Sequence, residues 1–173
     1  MFKVALVGHS QVPTTFEAPE GAEVSIFRRR GGLVEHFDQP PLLNVYEYKP
    51  NLVILFLGSN DLLNYADNWL LLVKKLRDIL YSLTLTCPYV WFVTIERRRF
   101  ASGNINSLYE SCRKKVNRKL RKYIRKLPVR MVNITSSWFG DHLSNDGVHF
   151  NAQAKREIID KFKGVITRCM TES

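Results

Sequence analysis

The sequence predicts an α/β protein in which a parallel sheet is covered by helices on both faces. Short apolar runs rich in valine alternate with longer segments of helical periodicity, as expected when crossover helices join parallel strands. The run Leu52–Leu57 is apolar without a break, which is typical of a strand buried on both faces. A length of 173 residues and a hydrophobic content of 45% predict one folded domain over 1–173. Because the first strand begins almost at the N-terminus, we interpret this domain as one excised from a longer chain.

Five strands and three helices are predicted from the apolar pattern. The strands are Phe2–Val7, Glu23–Phe27, Leu52–Leu57, Val90–Ile95 and Val129–Ile134. Apolar residues recur at helical spacing over roughly Asp67–Leu83, Asn106–Leu127 and Ala152–Thr167, and Asn151 is a suitable N-cap for the last of these helices. The stretch Leu33–Tyr46 is ambiguous because Pro40 and Pro41 interrupt it.

The composition restricts the compartment and the class of partner. Three cysteines without a framework spacing favour a reducing environment, and the N-terminus lacks the pattern of a secretory signal. We therefore expect an intracellular protein, cytoplasmic or nuclear, and not a secreted one. The net charge of +10 is high for this length and indicates an acidic partner, either nucleic acid or an anionic membrane surface.

Glycines and small polar residues follow four of the predicted strands. They are Gly8-His9-Ser10 after the first strand, Gly31-Gly32 after the second, Gly58-Ser59-Asn60-Asp61 after the third and, at some distance, Asp146-Gly147-Val148-His149 after the fifth. Ligands of such sheets bind at the carboxyl ends of the strands. The four motifs are therefore expected to meet in one site.

These residue types fit nucleophilic catalysis by a serine. Ser10 is the candidate nucleophile, and His149, with Asp146 three residues before it, is the best placed of four histidines to act as its base. The N–H of Ser10, an N–H of the Gly31-Gly32 turn and the Asn60 amide are candidate donors to an oxyanion. Each motif alone has a simpler interpretation, such as a helix cap for Ser10 or a turn residue for Asn60.

In chain order, the four motifs resemble the blocks of the SGNH (GDSL-like) hydrolases. The sequence departs from that family in the first block, where Gly-His-Ser replaces the usual Gly-Asp-Ser, and in a degenerate second block. The resemblance favours Gly32 over Gly31 as the second oxyanion donor. It implies a three-layer flavodoxin-like fold with a five-stranded sheet in the order 2-1-3-4-5.

The resemblance also implies hydrolysis of acetyl or short acyl esters without a metal or cofactor. The size is similar to that of intracellular acetylhydrolases of the platelet-activating-factor type. The Gly-His-Ser turn and the basic charge resemble the esterase domain of the first-open-reading-frame protein of LINE-type retrotransposons. A catalytically weak, hydrolase-like module that binds anionic lipid or nucleic acid is the alternative function.

Two further residue groups are candidates for contacts with substrate or partner. Phe100, Trp138 and Phe139 lie near the motifs and are expected to line an acyl-binding rim, although a core position for Trp138 and Phe139 is an equal alternative. One segment of a predicted helix carries basic residues and no acids. Together with the triplets Arg28–Arg30 and Arg97–Arg99, this segment predicts an anionic membrane as the binding partner, and nucleic acid is the competing partner. The basic residues of this helix are Arg113, Lys114, Lys115, Arg118, Lys119, Arg121, Lys122, Arg125 and Lys126.

Overall fold

The computed structural model describes residues 1–37, 40–134 and 143–173, with only the backbone of Pro40 and Pro41. Five parallel strands form one sheet in the order β2-β1-β3-β4-β5. Both the class of fold and the strand order predicted from the sequence are confirmed. The strands are β1 Phe2–Gly8, β2 Ala22–Arg28, β3 Leu52–Phe56, β4 Tyr89–Val93 and β5 Val129–Val132.

In the described part of the chain, four α-helices and two short 3₁₀ turns connect and cover the strands. The α-helices are α1 Pro40–Tyr48, α2 Trp69–Thr84, α3 Gly103–Ile124 and α4 Ala152–Glu172, and the 3₁₀ turns are Val34–Phe37 and Ala66–Asn68. The ambiguous stretch thus contains a helix that begins at the proline pair, where a missing N–H costs least. Asn151 caps α4 as predicted, because its side chain accepts a hydrogen bond from the N–H of Ala154.

The sheet separates two hydrophobic cores, because alternate side chains of each strand point to opposite faces. On one face, Val53 and Leu55 of β3 pack with buried residues of α1, α2 and α3. On the other face, Ile54 and Phe56 pack with α4. Covering both faces explains why β3 is buried along its whole length.

This topology places the four motifs at one edge of the sheet. All five strands are parallel, so the segments that follow them emerge at the same edge. The helix α3 begins at that edge and runs back along the sheet towards the start of β5. None of the described helices is both long and apolar enough to cross a membrane.

Candidate active site

Ser10 follows β1 on a turn that depends on Gly8. Gly8 has a φ of +151°, and a Cβ there would lie 1.8 Å from the carbonyl oxygen of Phe56. Only glycine therefore lets the end of β1 approach β3 so closely. The next side chain, His9, points inward and is fully buried, whereas Ser10 is partly exposed at the edge of the sheet.

Ser10, His149 and Asp146 form a continuous chain of contacts. Ser10 Oγ lies 3.4 Å from His149 Nε2, and His149 Nδ1 lies 2.6 Å from Asp146 Oδ2. A carboxylate beside Nδ1 selects the tautomer that carries its hydrogen there, which leaves Nε2 free to accept a proton. The imidazole and the carboxylate are each about half-exposed, at 47% and 51%. A substrate can therefore reach the serine from solvent.

The second oxygen of Asp146 organises the loop around it. Asp146 Oδ1 accepts hydrogen bonds from the Ser144 hydroxyl and from the N–H groups of Val148 and His149, at 2.9, 2.8 and 2.9 Å. The hydrogen bond from the His149 side chain, followed by those from the two backbone N–H groups, holds the pKa of Asp146 well below its usual range. The carboxylate is therefore ionised wherever the imidazole can act as a base.

Two other segments hold this loop against the nucleophile turn. Arg99 donates its N–H to the carbonyl of Gly147 at 2.8 Å, and a Cβ at Gly147, whose φ is +71°, would lie 2.2 Å from the Arg99 carbonyl oxygen. The Gln11 amide donates to the Val148 carbonyl and accepts from the Phe150 N–H. Sequence reasoning missed Gln11 and Arg99, whose partners lie far away in the chain.

The oxyanion side of the site contains Ser10 and Asn60, and the role of Gly32 as an oxyanion donor stays a prediction. In this structure Gly32 donates its N–H to the Arg29 carbonyl of its own turn at 3.0 Å. Its carbonyl instead accepts a hydrogen bond from Asn60 Nδ2 at 3.1 Å. The second hydrogen of that amide nitrogen can serve a substrate. Among the described residues, the Ser10 N–H has no hydrogen-bond acceptor.

Arg98 fixes the orientation of the Asn60 amide. Its guanidinium donates to Asn60 Oδ1 at 2.7 Å and to Ser59 Oγ at 2.8 Å. With Oδ1 held by a cation, the amide nitrogen must face the opposite way, towards Gly32 and the site. From the sequence, Arg98 is predicted only as a member of the cationic triplet Arg97–Arg99.

A buried contact between an imidazole and a carboxylate occupies the place where the sequence departs from the family pattern. His9 Nε2 lies 3.5 Å from Glu96 Oε1, and both side chains are at most 1% exposed. His9 Nδ1 accepts a hydrogen bond from the Gln11 N–H, so the ring hydrogen lies on Nε2, facing Glu96. Burial raises the pKa of Glu96, but His9 and the charge of Arg98 outweigh it and keep that pKa below its usual range.

Of the three aromatic residues predicted to line an acyl-binding rim, the structure describes only Phe100. The Phe100 ring is partly buried and packs against the ring of Tyr109, with centroids 5.3 Å apart. A role for Phe100 in substrate binding stays a prediction. Trp138 and Phe139 lie outside the described residues.

Most cations of the basic helix are exposed, and its first cation is buried. Arg113 is 3% exposed, and its guanidinium donates twice to Glu110, each time at 2.9 Å. Glu110, just before the basic run, neutralises this charge, and the role of Arg113 in an anion-binding surface stays a prediction. The exposed cations are Lys114, Lys115, Arg118, Arg121, Lys122, Arg125 and Lys126, and Lys119 is partly buried.

Comparison with known proteins identifies the family. The model of the GDSL-like lipase/acylhydrolase family matches residues 27–162. The chain belongs to this family. Its members are carboxylic ester hydrolases, and the enzyme class predicted from the sequence is thereby confirmed.

Several solved structures share the fold over almost the whole chain. A carbohydrate esterase of family 3 from Talaromyces cellulolyticus superposes with a TM-score of 0.78 at 15% identity and covers 100% of both chains. An acetylxylan esterase from Geobacillus stearothermophilus gives 0.75 at 14% identity, covering 95% of this chain and 94% of its own. A variant acetyl esterase with bound acetate gives 0.76 at 16% identity over 100% of both chains. No curated protein sequence matches the chain significantly.

Proposed function

We propose that the protein is a serine esterase that hydrolyses acetyl or short acyl esters through Ser10, His149 and Asp146. The observation that carries this proposal is the continuous path from Ser10 Oγ through His149 to Asp146. The spacing of 3.4 Å between Ser10 Oγ and His149 Nε2 is long for a hydrogen bond, as is common before substrate binds and tightens the contact.

The proposed reaction has two steps with one covalent intermediate. In the first, His149 Nε2 takes the Ser10 proton while Oγ attacks the ester carbonyl, and His149 then protonates the departing alcohol. In the second, a water molecule loses a proton to His149 and attacks the acyl-serine, and His149 returns that proton to Ser10 Oγ as the bond to the acyl group breaks and the acid is released. Asp146 stabilises the imidazolium in both steps, while the Ser10 N–H and the Asn60 amide stabilise the oxyanion.

The Ser10→Ala variant tests the assignment of the nucleophile. We expect it to lose hydrolysis of p-nitrophenyl acetate while it keeps its thermal stability, because Ser10 is not part of either core. Ser107→Ala is the matched control, since Ser107 is exposed on α3 and should keep full activity. Full activity in Ser10→Ala would reject the proposal.

A second proposed function is anion binding by the exposed face of α3. Lys115, Arg118 and Lys122 are exposed at helical spacing and form one cationic stripe. The helix runs away from the active-site edge, and Arg98 and Arg99 of the second triplet are hydrogen-bonded within the site. These contacts weaken the case for a membrane held against the site, so nucleic acid is the competing partner that the cationic stripe has to be tested against.

Direct binding measurements separate these partners. We compare a gel shift with single-stranded RNA and co-sedimentation with phosphatidylserine liposomes, for the wild type and for a variant in which Lys115, Arg118 and Lys122 are changed to Gln. The control changes Lys161 and Lys163 of α4 to Gln. RNA binding that is lost only in the α3 variant supports nucleic acid. Liposome binding without RNA binding supports the membrane, and binding to neither leaves a solvated surface.

A further inference from the structure

A cleft lies beside the nucleophile, on the side of the base. Its volume is about 210 Å³, and it is lined by Ser10 and His149, by the segment Gln11–Thr15 and by the start of α4. Neither Asn60 nor Gly32, on the oxyanion side of the site, is among its lining residues. The Asn60 side of the oxyanion site therefore lies outside the cleft, although Ser10 belongs to both.

The position of the cleft indicates which part of an ester it holds. A departing alcohol must receive its proton from His149 Nε2, so the alcohol lies on the side of the imidazole. Because His149 lines the cleft and the oxyanion donor Asn60 does not, the alcohol portion of the ester occupies it. This assignment rests on the serine-esterase function proposed above.

The side chains of fixed charge in the described lining of the cleft are all cationic. They are Arg28 and Lys155, which line it together with Thr14, Thr15 and several apolar residues, and the described lining residues include no acid. Among the described residues, neither cation forms an ion pair with a carboxylate. Arg28 is oriented by a hydrogen bond of 3.0 Å to the Ser10 carbonyl, which keeps its guanidinium beside the nucleophile.

We propose that this cleft selects esters whose alcohol portion carries an anionic group, a carboxylate or a phosphate. Arg28 and Lys155 donate charge-assisted hydrogen bonds to that group, and the threonine hydroxyls are further donors. Losing one such bond is expected to lower kcat/KM by about tenfold. The volume of about 210 Å³ fits a small alcohol, such as one substituted ring, rather than a long chain.

The test compares three acetyl esters that differ in the charge of the alcohol. They are 4-acetoxybenzamide, 4-acetoxybenzoate and 4-acetoxyphenyl phosphate, and each kcat/KM is divided by the rate of hydrolysis in hydroxide to remove differences in intrinsic reactivity. The wild type is expected to prefer the anionic esters by about 10-fold or more. A higher value for the phosphate than for the carboxylate, or the reverse, identifies the group.

Variants at Lys155 connect the preference to the cleft. We expect Lys155→Met to lower the anionic preference about tenfold and Lys155→Glu to reverse it. Lys161→Glu is the matched control, because Lys161 is exposed on the same helix and is not among the lining residues. Hydrolysis of all three esters without preference, or an equal loss in the Lys155→Glu and Lys161→Glu variants, would overturn the cleft assignment alone. Hydrolysis of none would overturn the esterase function with it.

Discussion

Replacing Asp146 by Asn tests how the base is oriented. The Oδ1 atom of an asparagine can keep the hydrogen bonds from Ser144 Oγ and from the backbone N–H groups of Val148 and His149. The other end of the side chain changes from an acceptor to a donor and then faces His149 Nδ1, which also carries a hydrogen. Two donors at 2.6 Å repel each other, so the imidazole must move its hydrogen to Nε2 or rotate.

The expected decrease in kcat of Asp146→Asn depends on the tautomer of His149 and on the solvent exposure of His149 and residue 146. A base with its hydrogen on Nε2 cannot accept the Ser10 proton, and the equivalent change in serine proteases costs about 10⁴ in kcat. Asp146 is 51% exposed, so water can compete for Nδ1 and restore part of the correct tautomer. We therefore expect kcat to fall by about 10²–10⁴ with little change in KM.

The assay measures kcat and KM for p-nitrophenyl acetate together with a thermal melting curve. Ser144→Ala is the control, since it removes one bond to Asp146 Oδ1 but leaves the contact with the imidazole. It should lower kcat by less than about tenfold. The reasoning is refuted if Asp146→Asn melts like the wild type and keeps a kcat within about threefold of it.

Two other predictions concern residues around Asn60. Arg98→Met should lower kcat by about 10²-fold and change KM little, because the oxyanion amide loses its orienting partner. The control Arg118→Met, at an exposed position of α3, should keep the wild-type kcat and KM. Equal values in the two variants would contradict the role of Arg98. Asp61 accepts hydrogen bonds from the Val34 N–H, and burial, despite these bonds, raises the pKa of Asp61 from 3.8 to about 7. The folded state then binds the Asp61 proton more tightly than the unfolded chain does. The contribution of Asp61 to the free energy of unfolding therefore falls as the pH rises from about 4 to 7. At 1.36 kcal/mol per pH unit, this fall is at most about 4 kcal/mol. Asp61→Asn, measured by urea denaturation at pH 5 and pH 8, should show a smaller fall than the wild type; the same fall in both would contradict the prediction.

The strands could be predicted because they are short, mostly apolar runs that alternate with longer segments of helical periodicity. Uninterrupted burial of β3 is visible in its composition, and the strand order came from the family resemblance. The helix α1 could not be predicted, because Pro40 and Pro41 interrupt its apolar pattern. These prolines are nevertheless tolerated in the first turn of a helix.

The candidate site could be predicted only where its residues lie close together in the chain. Asp146 and His149 are three residues apart, so their contact is a local property of one loop. Arg98 is 38 residues from Asn60, and nothing in an arginine triplet indicates which member turns inward. Gly32 was predicted as an oxyanion donor from the family resemblance, and the hydrogen bond within its own turn could not be predicted because it depends on a backbone conformation that glycine leaves open.

The central claim, that Ser10 is the nucleophile activated by His149, is tested most directly by labelling with a fluorophosphonate and mapping the modified residue by mass spectrometry. A serine reacts with this probe only when a neighbouring base takes its proton. We predict a single modification at Ser10, which disappears in the His149→Ala variant. Modification of another residue, or no modification of the folded wild type, would contradict the account.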